Sequence, residues 1–449
     1  MALTTQLELA GAVVTPSDGD YDQARMPWNV AIDQRPAAIV FPADVRDVVA
    51  AVRHARANDL QVAVQSTGHG AHTLGDLGRT LLIRPTAMTG VHVDPVRRTA
   101  RVGAGVQWQD VAPLAAEHGL AALAGSSPDV GVVGYSLGGG LGYLSRPFGL
   151  QSNHVTAVEL VTASGDVVRA DADSEQQLFW ALRGAGHGFG VVTAMEFALE
   201  PIAELYGGAM FWPWERSREI LAAWRDVCAE APRTMTTVGR ILNLPPITEV
   251  PEPLRGRQFV NVQVAHAGAA AEAEAALAPL KALAPELDFT GPLDSPAALI
   301  RLHGDPEAPT PGIVGGGMID SLPDATLDAL VEAAGPGSRS PLVQLEIRQL
   351  GGALAEVPAG AGVLGRLDGA FAWHSVGVPA VPELVAPIEA TTARVSAAMR
   401  ACGSGREYTN FAGRAVASHE TLDLDSAARL QALRRVADPS GLFHAGHGG

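Results

Sequence analysis

The chain has 449 residues, 47% of them apolar and 18% charged, with 50 glycines and a formal net charge of −16 from 32 basic and 48 acidic side chains. A disordered chain would be less apolar and more charged, no apolar run approaches the roughly 20 residues of a membrane-spanning helix, and an acidic chain without Lys/Arg clusters is a poor match for phosphate backbones. Neither a membrane nor a nucleic acid is expected as a partner. The length suits two or three domains, each able to bury a core. Cys228 and Cys402 are too few for a disulfide framework and read as reduced, buried thiols. Glu8, Asp18 and Asp20 precede the first arginine, Arg25, so no export signal is read and a cytoplasmic location is expected.

Ala38-Ile39-Val40-Phe41 reads as a strand, and Asp44 as the N-cap of a helix whose apolar face is Val45, Val48, Val49 and Val52. Val62-Ala63-Val64 is a second strand, running into Ser66-Thr67-Gly68-His69-Gly70. Leu81–Ile83 and Val91–Val93 continue the series, and Arg101 to Val106 leads into a helix from about Trp108 to His118. Strands alternating with helices argue for an α/β or α+β domain. Residues 125–149 are the most glycine-dense stretch. Val155–Val161 and Asp166–Arg169 form a predicted hairpin. Near residue 205 the texture changes: Trp212, Trp214 and Trp224 introduce a helix, Arg257–Ala265 is a strand and Ala269–Leu283 a helix. Val343, Leu345 and Ile347 alternate with Gln344, Glu346 and Arg348, the pattern of a strand with one buried and one polar face.

Three stretches could carry chemistry. Gly134-Tyr135-Ser136-Leu137-Gly138 matches a G-x-S-x-G nucleophile elbow, and Asp423, Asp425 and Asp438 precede His444 and His447 in the order a serine hydrolase triad needs. Against it, Gly138, Gly139, Gly140 and Gly142 follow the serine, each costing a helix about 1 kcal/mol relative to alanine. The same glycines also suit a phosphate cradle, because backbone N–H groups without Cβ neighbours can approach a pyrophosphate; a surface loop is the plainer alternative. His69 follows an apolar strand between glycines. It is either a structural hydrogen-bonding residue or an uncovered imidazole whose neutral nitrogen can bond an electrophilic cofactor such as an oxidised flavin. His72 is near, but no third ligand stands at metal-site spacing, so no metal is expected.

Taken in order, the motifs resemble the FAD-linked oxidases of the para-cresol methylhydroxylase (vanillyl-alcohol oxidase) type, in the berberine bridge enzyme-like branch. The resemblance rests on Arg35-Pro36 through Phe41-Pro42, on Gln65-Ser66-Thr67-Gly68-His69-Gly70, and on Ser126 to Gly131 continuing through Leu137–Gly142 and Arg146–Leu150. Leu178 to Gly186, ending in Phe189–Thr193, adds to it, as do Tyr408-Thr409-Asn410-Phe411 and Asp438–Phe443. It implies an α+β fold: a two-part FAD-binding domain of residues 1–203, completed by a C-terminal return segment 401–449, around an inserted antiparallel-sheet-plus-helices substrate domain, 204–400. FAD is the implied cofactor, with His69 bonded to the flavin C8α methyl and Val64, Gln65, Ser66, Thr67, Gly68 and Gly70 around the attachment. A second flavin loop would comprise Ser126, Ser127, Asp129, Val130, Gly131, Gly134, Tyr135, Gly138, Gly139, Gly140 and Gly142. Gly186, Gly190 and Val191 would lie beside the adenosine, and Tyr408 and Asn410 would close the site.

Members with a double linkage carry a cysteine at Ser127, so a single covalent bond is expected here. Gln65 and Thr67 stand where Arg and Gly are common, and Leu141 and Phe411 where many alcohol-oxidising relatives have tyrosine. Val130 sits at a position associated with oxygen access. The implied reaction is hydride transfer from a small organic molecule (an alcohol, amine or natural-product intermediate) to flavin N5, with O2 as acceptor and H2O2 as product. Candidates for the base or substrate contacts are Tyr408, Glu346, Arg348 and His374; a packed tyrosine, a solvated strand face and a structural histidine are the alternatives. The competing functions are the Ser136 hydrolase and a flavin-binding protein without turnover.

Overall fold

The computed structural model describes residues 7–447. A first sheet takes strands Ala12–Val14, Ala38–Phe41, Thr80–Ile83 and Gln61–Val64 in that spatial order, the last three parallel. Parallel strands need a crossover, and helix Val45–Ala57 is one. It starts where the sequence predicts: the Asp44 carboxylate accepts the N–H groups of Arg46 and Asp47, and Val48, Ala51, Val52 and Ala55 make the buried stripe. That stripe packs on Val161, Val191, Leu442 and Phe443.

A second, antiparallel sheet orders Val91–Asp94, Thr99–Gly103, Val191–Ala198, Val155–Val161 and Val167–Asp171. The last two are the expected hairpin. Helix Trp108–Ala116 packs on this sheet with the short helix Val132–Leu137. The short helix stops at Gly138, and Gly139 and Gly140 follow with φ of +109° and +79°. The glycine run therefore ends a helix, as its composition demands.

The third sheet has eight antiparallel strands. Leu287–Asp288, Tyr206–Pro213, Gln258–His266, Met235–Asn243, Leu342–Gln349, Phe371–Gly377 and Ile313–Ile319 lie in that order, and Gly291–Pro292 also pairs with Tyr206–Pro213. The Trp-rich stretch leads into the expected helix, Ser217–Glu230, which holds Trp224, while Trp214 opens a short turn before it and Trp212 belongs to strand Tyr206–Pro213, which the sequence did not announce. One face of the sheet is covered by helices Ser217–Glu230, Ala270–Lys281, Asp324–Ala334 and Val385–Arg400, whose apolar residues meet Leu345, Ile347 and Trp373. Period-two alternation sends Gln344, Glu346 and Arg348 to the other face. Glu346 and Arg348 are only 2% and 1% exposed, which overturns the solvated-face alternative. Ser126, Leu141 and Tyr143, from the loops of the first half, lie against that polar face at Arg348.

Buried hydrogen bonds join the first half to the large sheet, and the tail closes on the first sheet. The buried Arg146 donates to the carbonyls of Met235 and Leu350, at the ends of two strands of the large sheet. The C-terminal tail returns to the first sheet, where Val62 N–H donates to Leu442 O and His444 N–H to Val62 O, both at 2.8 Å. Cys228 and Cys402 are free, as expected, but half-buried rather than enclosed.

Arg146→Met keeps much of the volume but leaves those carbonyls without their donor. It is expected to lower unfolding free energy by about 2–4 kcal/mol, the scale for unpaired buried polar groups, as read from urea midpoints. A change under about 0.5 kcal/mol would contradict the role given to this contact.

Candidate functional site

Strand Gln61–Val64 ends when Gln65 N–H donates to Ile83 O. Beyond it, the backbone N–H groups of Ser66, Thr67, Gly68, His69 and Gly70 have no acceptor among the described residues, although the Thr67 and Gly68 carbonyls are used, by Trp28 and Ala71 N–H. Gly68 is buried, Ser66, Thr67 and His69 are half-buried and Gly70 is exposed; consecutive free amides can form an anion-binding concavity. The side chains tell the same story: Gln65 Oε1, Ser66 Oγ, His69 Nε2 and His72 Nδ1 are buried without a hydrogen-bond partner. Gly68 cannot be replaced without strain, because its φ is +96° and a Cβ would stand 2.6 Å from Pro27 Cβ and 2.8 Å from Trp28 N. Gly131 approaches from the second loop, where a Cβ would come 3.2 Å from Ser66 Oγ, while Gly70, Gly134 and Gly186 border open space.

His69 is clamped. Its ring stacks on the Trp28 indole with centroids 4.2 Å apart and planes 23° apart. Its Nε2 lies 3.3 Å from Asp129 Oδ1, at ion-pair distance but off hydrogen-bond alignment. The Trp28 indole N–H donates to Asp129 Oδ2, and Ser127 Oγ donates to Oδ1 at 3.3 Å. Burial would raise the Asp129 carboxyl; the contacts with His69 and Trp28 outweigh it and hold the group below its ordinary value.

The roof supplies a second cluster. Glu346 Oε1 accepts from Arg348 Nε at 2.9 Å, and Oε2 pairs with His303 Nε2, whose Nδ1 lies 2.6 Å from Asp305. Burial would raise Glu346, but Arg348, His303 and Arg240 override it and hold the carboxyl well below the carboxylate range. The Arg348 guanidinium lies over the Tyr143 and Phe411 rings and reaches Leu141 O and Ser126 Oγ at 3.4 and 3.5 Å. His374 is 5.2 Å from Phe411, ring to ring, and its imidazole makes no hydrogen bond among the described residues. Burial lowers its pKa to about 4, so the imidazole is neutral at neutral pH. Tyr408 is buried 5.3 Å from Phe411 and receives Asn410 Nδ2 at 3.2 Å. Burial pushes its phenol far up, against the lowering by Asn410 and the Gly140 and Leu141 N–H groups, so it stays protonated.

Of the residues expected from sequence, the structure gathers Gln65 to Gly70, Ser126 to Gly131, Tyr135, Gly138 to Gly142, Glu346, Arg348, His374, Tyr408 and the exposed Asn410 around one region. Val64 pairs within the first sheet, and Val130 O accepts Trp108 N–H on the core side of the loop. Gly186 sits at the end of the short helix through its N–H to Leu137 O, and Gly190 and Val191 lie against Leu160 and Val161. The hydrolase fails. Ser136 is fully buried in the helix with its Oγ donating to Val132 O, Asp423 caps helix Leu424–Ala437, and Asp438 accepts the N–H groups of Leu442 and Phe443. Among the described residues no group of His, Cys, Asp and Glu could hold a metal. Sequence reasoning missed Trp28, Arg240, His303 and Asp305, which stand in no motif.

Residues 36–171 match the FAD binding domain family. The chain carries an FAD binding domain. It is homologous to (R)-6-hydroxynicotine oxidase of Paenarthrobacter nicotinovorans, 38% identical over 213 residues, which are 47% of this chain and 46% of that protein. An FAD-linked oxidoreductase of Dictyostelium discoideum is 33% identical over 47% of each chain. These matches span about half the length of the curated relatives. The solved 6-hydroxy-D-nicotine oxidase of Arthrobacter nicotinovorans superposes over the whole of both chains at TM-score 0.83 and 26% identity. Berberine bridge enzyme of Eschscholzia californica shares the fold, at TM-score 0.81 and 17% identity over 98% of this chain and 96% of that one. The α+β fold is that of the para-cresol methylhydroxylase and berberine bridge enzyme-like FAD oxidases. The unpaired amides and orphaned polar atoms beside His69 fit FAD: an anionic pyrophosphate would satisfy the donors, and the glycines leave it room.

Gly68→Ala is expected to weaken FAD retention at least tenfold, since a strained backbone position costs about 1–3 kcal/mol and the displaced loop carries the amides. Fluorescence titration of the apoprotein checks this; unchanged affinity would contradict it.

Proposed function

We propose that the protein is an FAD-dependent oxidase that removes a hydride from a carbon of a small organic substrate (an alcohol, amine or natural-product intermediate). In this reading dioxygen is the electron acceptor, hydrogen peroxide is the product, and FAD is held by a single covalent bond at His69. The carrying observation is the run of five amides, Ser66 to Gly70, that have no acceptor among the described residues. FAD, when bound, supplies the hydride acceptor. Residues 1–203 with the tail from 401 would hold it and residues 204–400 would roof it; the outermost residues of this division lie outside the described ones.

The chain binds through those amides and through Gly131 and Gly134 on the facing loop. Ser127 supports a single bond, because its hydroxyl is a weak nucleophile and is spent on Asp129. The roof excludes water: Arg348, Tyr408 and Tyr143 are all buried. Glu346 orients rather than reacts, since both its oxygens are engaged and its carboxyl is strongly held ionised. His374 is the better proton acceptor, being neutral, without a side-chain hydrogen bond among the described residues, and packed on Phe411, whose ring also meets Tyr408.

Purified holoprotein is expected to be yellow and to keep its chromophore on acid precipitation, and a panel of alcohols, amines and polyphenols to yield substrate-dependent peroxide. Colourless protein, or yellow protein that no substrate bleaches anaerobically, would contradict the reading. With such a substrate, His374→Ala should slow flavin reduction about 10²-fold, within the range for general base catalysis. The active base is the deprotonated form, present above its pKa. The wild-type rate should therefore hold across pH 6–7 and fall only as pH drops through about 4. A limb near pH 6.5 that the variant abolishes would contradict this assignment.

A further inference from the structure

His69 is not simply exposed beside a free loop. Its imidazole stacks on the Trp28 indole, and that indole donates its N–H to the carboxylate that faces the imidazole. Asp129 is itself 8% exposed, and of the polar groups around it Trp28 and Ser127 are donors that fix both its oxygens. Nδ1, at the other edge of the ring, has no hydrogen-bond partner among the described residues, whereas Nε2 has the Asp129 carboxylate within ion-pair distance. We infer that Asp129, aimed by Trp28, is the base for flavin attachment: it holds the Nε2 proton of His69, keeps the Nδ1 lone pair free for the C8α methyl, and takes the Nε2 proton as the bond forms. This rests on the reading of His69 as the attachment residue.

The chemistry balances through an oxidant the oxidase reading already names. Overall, the imidazole N–H and one methyl C–H are exchanged for the Nδ1–C8α bond, and the two hydrogens with their two electrons reach dioxygen as hydrogen peroxide. On the protein side, attack by Nδ1 places positive charge on the ring, and that charge is relieved by loss of the proton on Nε2, the atom 3.3 Å from Asp129 Oδ1. A carboxylate behind an imidazole both fixes the tautomer and stabilises the cation that forms. The misalignment at Nε2 requires only a small ring rotation within the Trp28 stack, and catalytic hydrogen bonds commonly tighten once the partner is bound. Trp28 can hold this position because its own backbone N–H donates to Thr67 O at 2.9 Å and Gly68 admits it closely. Asp129 acts on the attaching nitrogen through its neighbour, and Trp28 is a positioning residue for Asp129.

The test uses full-length protein expressed under riboflavin limitation and reconstituted with FAD. Attachment is followed as fluorescence retained on a denaturing gel and by mass of the peptide bearing residue 69. Wild type should attach, and NMR of its flavopeptide should place the linkage at Nδ1. Asp129→Asn should bind FAD with visible absorbance yet attach it about 10²-fold more slowly, and Trp28→Phe, which keeps a stacking ring but lacks the donor, several-fold more slowly. Attachment by Asp129→Asn at the wild-type rate, or a wild-type linkage at Nε2, would overturn the inference while leaving His69 as the attachment residue. Wild-type protein whose FAD is lost on denaturation would overturn the underlying reading and the inference with it. The linkage position in wild type decides the matter even if the Asn variant folds poorly.

Discussion

Five consecutive backbone N–H groups with no acceptor among the described residues are the constraint around which the first half of the molecule is arranged. A loop after a parallel strand would ordinarily relax until its amides paired with neighbouring carbonyls or side chains. Here it cannot. Pro27 and Trp28 leave no room for a side chain at Gly68, Gly131 leaves little between itself and Ser66, and the carbonyls of Thr67 and Gly68 are already committed. The glycine-dense stretch, the helix that stops at Gly138 and the tail bonded to Val62 all shape the space in front of those donors.

The roof faces that space with the opposite strategy. Its ionic groups are saturated: Asp305, His303, Glu346 and Arg348 form one continuous chain of contacts, and Arg240 adds donors to His303 O and Gln344. Buried charges are tolerable when each is paired and hydrogen-bonded, and removal of one member strands the rest. Such a network suits a rigid, oriented wall. It leaves the His374 imidazole, across from Glu346 on the adjacent strand, without a hydrogen bond among the described residues.

Much of the first half was legible in the sequence because its signals are local. Asp44 caps the helix its spacing announced, the hairpin over 155–169 formed at its turn, and His69 stood between glycines after an apolar strand. The motifs that resembled FAD-linked oxidases also located both loops. The second half was harder. Tyr206–Pro213 reads locally as an aromatic lead-in, since its strand character comes from pairing with Gln258–His266 fifty residues on. The alternation in 343–348 correctly placed polar residues on one face, yet periodicity cannot reveal that a second wall buries that face. Trp28, Arg240, His303 and Asp305 were missed for the same reason: each acquires its role from a partner far along the chain, and none has a local signature.

Amide hydrogen exchange, compared between the apoprotein and the FAD-loaded protein, tests the central claim most directly. Residues 66–70 should exchange rapidly in the apoprotein and become among the most strongly slowed on loading, because FAD supplies the acceptors they lack. Protection that appears elsewhere while these five amides go on exchanging freely in a protein known to hold FAD would contradict it.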